Sequence, residues 1–112
     1  MIIGARLGMM AGAKPATVVF NNTYKDGTNG TSFTFAVAGL NAGTKKLAFT
    51  IHGAQVSTGV VSGVTFATVA ATSVIAVLSG ETACEIWQIE GIPAPSGSLV
   101  ITFSNTKAGC ES

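Results

Sequence analysis

The chain has 112 residues and a mass of 11.2 kDa, one domain's worth of sequence. Only 10% of the residues are charged against 47% hydrophobic, and the net charge of +1 gives no field to attract nucleic acid or an anionic membrane surface. A mean hydropathy of +0.52 excludes disorder, and every apolar run is broken by Gly, Thr or Ser well short of the roughly 18 residues a membrane span takes.

Residues 1–13 are apolar, with Arg6 in the middle and glycines at positions 4, 8 and 12. A secretory signal needs a basic start and an unbroken apolar stretch, and neither is present. The segment reads as an extended arm, ordered when it meets a neighbour, with Met1, Ile2, Ile3, Leu7, Met9 and Met10 as its contact residues. Residues 14–112 form the folded domain.

From Thr17 onward the chain runs in short alternating β-branched and aromatic stretches closed by Gly, Asn, Asp or Ser, the pattern of an all-β protein. Strands are expected at 17–21, 32–38, 46–52, 60–66, 72–78, 83–89 and 98–103. The intervals leave no room for crossover helices, so the fold class predicted is a single antiparallel β-sandwich, Ig-like or jelly-roll-like, behind a short N-terminal arm. Period-two alternation sends Phe33, Phe35, Leu47, Phe49, Ile51, Val64, Phe66, Leu99, Ile101 and Phe103 into the core. It leaves His52 on the surface. Turn chemistry lies at Lys25-Asp26-Gly27-Thr28-Asn29-Gly30, Asn41-Ala42-Gly43-Thr44, Ser79-Gly80 and Gly91 to Gly97.

Chemistry-bearing residues are few. The single histidine, His52, has no Asp, Glu, Ser or Cys within three positions. Glu85 and Glu90 have the odd spacing that points them to opposite faces of one strand, which defeats a shared acid/base site. There is no Cys-x-x-Cys, His pair or Asp-x-Asp loop, so neither metal nor cofactor is expected. The Gly8 to Lys14 stretch fails as a phosphate loop, with the wrong spacing and Pro15 where Ser or Thr should follow the lysine. Asn21-Asn22-Thr23 and Asn29-Gly30-Thr31 match the glycosylation triplet, which a Thr-rich chain produces by chance. Cys84 and Cys110 permit one disulfide, and free thiols are expected. Trp87 is read as a packing residue, with a ligand-stacking platform as the alternative.

Thr31-Ser32-Phe33-Thr34-Phe35, Lys46 to Gly53, Val61-Ser62-Gly63-Val64-Thr65-Phe66, Ala70-Ala71-Thr72, Glu85-Ile86-Trp87, Pro95-Ser96-Gly97 and Leu99 to Ser104 follow one another in a recognisable order. Over residues 31–104 the chain resembles a family of small β-sandwich virion structural proteins of tailed bacteriophages, associated with heads, tails or fibres. The resemblance implies a capsid decoration or cement subunit on the virion surface, with other virion proteins as partners, homo-oligomeric in the assembled particle; an enzyme is not expected, because no acid, base and nucleophile converge in the sequence. The alternative is a carbohydrate- or receptor-binding module of a head or tail fibre, using Trp87 or Tyr24 for stacking. This chain departs from the pattern in two places. Ala67-Thr68 stands where similar sequences carry Gly-Gly, and the sequence stops at Ser112 where they continue.

Overall fold

A computed structural model describes residues 18–40, 46–54 and 58–112. The arm and its candidate contact residues Met1, Ile2, Ile3, Leu7, Met9 and Met10 lie outside the described residues, as does the expected turn at Asn41 to Thr44. The described chain forms β1 (Lys25–Asp26), β2 (Gly30–Val37), β3 (Lys46–Gly53), β4 (Val61–Phe66), β5 (Val69–Ala70), β6 (Thr72–Ser79), β7 (Thr82–Glu90), β8 (Gly97–Lys107) and β9 (Cys110–Glu111). They make a five-stranded sheet in the order β1-β9-β3-β7-β6 and a four-stranded sheet in the order β2-β8-β4-β5. Every pairing is antiparallel, and the protein is an all-β sandwich.

The core follows the alternation read from the sequence. Phe33, Phe35, Phe49, Ile51, Val64, Phe66, Leu99, Ile101 and Phe103 are buried, and Leu47 packs half-buried against them. Phe49 of one sheet meets Phe66 of the other with ring centroids 6.3 Å apart, and Phe33 meets Phe103 edge-to-face at 5.8 Å. Each fully buried phenylalanine contributes about 1.5 to 3 kcal/mol of transfer free energy, so these rings supply a large share of the core's cohesion.

One expected strand does not form. Residues 18–21 make no ladder, and Val18, Val19 and Phe20 are exposed. Local β propensity is not enough without a partner edge. The slot beside β9 is filled further on, where Lys25 and Asp26 pair with Glu111 and Cys110, and Tyr24 and Ser112 exchange backbone hydrogen bonds of 2.7 and 2.9 Å. Three two-residue strands, β1, β5 and β9, add to the expected set, and β8 runs four residues beyond the expected end, to Lys107. The β4–β5 hairpin turns through Ala67 (φ 49°) and Thr68 (φ 69°). This left-handed pair is the two-residue turn that glycines ordinarily supply, formed here without them.

Candidate functional site

The outermost strand of the five-stranded sheet, β6, consists of Thr72-Ser73-Val74-Ile75-Ala76-Val77-Leu78-Ser79, and all eight residues are exposed. It pairs with β7 through Ile75↔Ile86, Ala76↔Glu85, Val77↔Cys84 and Leu78↔Ala83, with a register irregularity between Ser73 and Ile75. Register fixes the faces. Ile75 and Val77 join Ile86 and Cys84 on the outer side, while Ala76 and Leu78 share the inner side with Glu85 and Ala83. The inner side stays open because the facing sheet ends at the two-residue β5. Leu78 is 43% exposed, and Val74, Ile75 and Val77 are 54–55% exposed. Edge strands are normally protected by Lys, Pro, an inward-pointing charge or a bulge; β6 carries no Lys, Pro or charge, and its register irregularity guards only the end at Ser73, leaving Ile75 to Ser79 open.

The outer face continues from β6 across β7 to β3. Ile75, Val77 and Ile86 border an open depression of about 520 Å³, bounded at its other end by Thr50, His52, Cys84 and Glu111. His52 is exposed, as the alternation predicts, and stands directly across β3 from both Cys84 and Glu111. This cross-strand row is invisible in sequence spacing. It places a thiol, an imidazole and a carboxylate in neighbouring positions, but the Glu111 carboxylate is turned to Lys25 Nζ at 3.5 Å. Among the described residues no group of His, Cys, Asp and Glu side chains is arranged to hold a metal ion.

Two charged residues are buried under the other face, and both join the sheets. The Glu85 carboxylate, on β7, accepts the Val61 amide of β4 at 2.6 Å through Oε2 and the Trp87 indole N–H at 2.9 Å through Oε1. Lys107, at the end of β8, is fully buried; its Nζ donates to the Glu81 carbonyl at 2.8 Å and lies 5.9 Å from the Phe103 ring centroid. Glu85 and Glu90 do face opposite ways, Glu85 buried and Glu90 exposed beside Lys46 at 3.3 Å. The alternation that puts Ala83 and Ile89 inward carries Glu85 inward with them. Trp87, the remaining candidate contact residue, is half-buried against the core with its N–H held by Glu85. Tyr24 is half-buried too, its ring tilted at 38° against Phe35 with centroids 6.0 Å apart and its hydroxyl donating to Asn21 Oδ1 at 2.9 Å.

The thiols are free, Cys84 exposed and Cys110 buried. Burial, reinforced by the Asp26 and Glu111 carboxylates, pushes the Cys110 thiol up to about 12. Asp26 is held below its ordinary value by the Thr28 hydroxyl and then the Thr28 amide, which donate to Oδ1 at 2.6 and 2.9 Å. No family model, curated protein or solved structure matches this chain.

Proposed function

We propose that this chain is a non-catalytic structural subunit that docks on other proteins, and that its setting is the virion of a tailed bacteriophage, as a capsid decoration or cement subunit. The observation that supports docking is β6, an uncharged strand of eight residues exposed at its edge and on both faces. An open apolar edge is a liability in a free monomer and an asset in an assembly, because a partner strand satisfies the backbone groups while the side chains lose water. The virion setting rests on the resemblance over residues 31–104. A surface this poor in charge suits permanent contact with neighbouring subunits.

Co-sedimentation with tailed-phage heads stripped of their decoration proteins tests this reading. Saturable binding at a fixed ratio to the shell protein is expected, weakened by Val77→Asp and Ile86→Asp on the outer face. Failure of the folded chain to bind any such head overturns the virion setting.

A further inference from the structure

The edge of β6 is complementary to itself. Read outward from Ala76, the flanking residues are Ile75 and Val77, then Val74 and Leu78, then Ser73 and Ser79. An antiparallel pairing of two copies about Ala76 therefore sets Ile75 against Val77 on the outer face and Ala76 against Ala76 on the inner, with Leu78 of each copy beside Val74 of the other, and the regular pairing ends there because the register of β6 shifts between Ser73 and Ile75. A two-fold axis perpendicular to the sheet keeps outer faces together, so the Ile75, Val77 and Ile86 patches of both copies become continuous. No charge lies on the strand, so like charges never face each other across the junction.

The other described edges do not offer this. β1 is two residues, Lys25 and Asp26, both charged. β5 is also two residues long. β2 has the length, but its outward residues are Thr31, Ser32, Thr34 and Ala36, with every large apolar side chain turned into the core. Among the described strands only β6 matches β6 in length and in apolar pattern on both faces.

We infer that a second copy of this chain is the partner of β6, joined by antiparallel edge pairing centred on Ala76 into a two-fold dimer with one continuous sheet. This deepens the docking reading by naming the partner and does not depend on the virion setting.

Analytical ultracentrifugation of the purified full chain tests the inference. At roughly tens of micromolar the wild type should sediment at twice its 11.2 kDa mass. Ile75→Lys and Val77→Lys alter side chains already exposed in the single chain, so far-UV circular dichroism should be unchanged while the dimer Kd rises roughly tenfold or more. Thr34→Lys, on the β2 edge, should leave the dimer intact. A monomeric wild type, a Kd unmoved by both β6 lysines, or a mass that climbs without limit as concentration rises overturns the two-fold β6 pairing. A monomer that still binds phage heads removes this inference alone, and a dimer that binds none removes the virion setting alone.

Discussion

Cys84 and Cys110 stand on opposite faces of the five-stranded sheet with β3 between them. Cys84 is opposite His52 and looks outward; Cys110 is opposite Gly53, the next residue, and looks into the core. Two strand spacings of about 4.8 Å separate their backbones, beyond the Cα separation of about 7 Å that a disulfide spans. The folded chain therefore holds two thiols in different environments. A thiol-specific chromogenic reagent should titrate one group quickly in native, non-reduced protein and two after unfolding. The Cys84→Ser variant should lose the fast phase. Recovery of no thiol from the unfolded, non-reduced chain would contradict the β9–β3 pairing.

The buried Cys110 thiol also gives a pH dependence with a definite sign. In the unfolded chain it ionises near its ordinary value of 9.0, whereas the folded protein retains the proton to about 12. The folded state binds more protons in that window, so this contribution to stability is complete below pH 9 and is lost as the pH rises toward 12. Denaturant midpoints measured from pH 8 to 10.5 should fall less steeply in Cys110→Ala than in the wild type, the difference between the two giving the Cys110 contribution.

Glu85 links the sheets by accepting the buried Val61 amide of β4, and it also holds the half-buried Trp87 indole of its own strand. Glu85→Ala leaves the Val61 amide and the Trp87 indole N–H unsatisfied, at a cost of about 1 to 3 kcal/mol each. Glu85→Gln keeps one acceptor oxygen but presents an NH2 group to a donor, so it should recover only part of the loss. Because the lone tryptophan is itself one of the partners, its emission should change in the native state of both variants, a signal absent from a substitution at exposed Glu90. Stability equal to wild type in Glu85→Ala would show that the carboxylate does not bridge the sheets.

Alternation made the core legible, because a side chain's face is set by parity alone and the core residues on β2, β3 and β8 all obey it. It failed at 18–21, where Val18, Val19 and Phe20 have the composition of a strand but pair with neither sheet. The buried charges were within reach of the same rule. Glu85 shares parity with Ala83 and Ile89, and Lys107 shares it with Leu99, Ile101 and Phe103 but lies beyond the expected strand end at 103; charged residues are so seldom fully buried that composition argues against both positions. The candidate surface was not legible. Nothing in Thr72 to Ser79 says that the facing sheet will end at β5 and leave both sides uncovered. That is a property of strand order, set by pairings between residues far apart in the chain.

Gly109 is fixed by close approach of main chain. A Cβ at this position would lie 2.6 Å from the Asp26 carbonyl oxygen and 3.2 Å from the Gly27 Cα. Backbone cannot rotate away as a flexible side chain would, so Gly109→Ala must push the β1 turn off β9. A cost of about 1 to 3 kcal/mol is expected, with loss of the amide protection that Asp26 and Cys110 share, measured by hydrogen exchange.

The β4–β5 turn offers the opposite experiment. Ala67 and Thr68 both hold positive φ, a conformation that costs a residue with a Cβ about 1 kcal/mol or more, and a β-branched threonine is the less suited of the two. The Ala67 amide donates to the Ser98 carbonyl at 3.1 Å and Phe66 beside it is fully buried, so the surroundings hold the turn in place. Thr68 is exposed, and removing its side chain exposes no core. Thr68→Gly relieves the strain at the expense of a more flexible unfolded chain, and the balance should be a gain of about 0.5 to 1 kcal/mol, a rise in Tm of roughly 2 to 4 °C. Thr68→Asn, which tolerates the left-handed region without the added entropy of glycine, should do at least as well. Thr68→Val keeps the branching and should gain nothing. A Tm lowered by both Gly and Asn would show that this turn does not take the left-handed form.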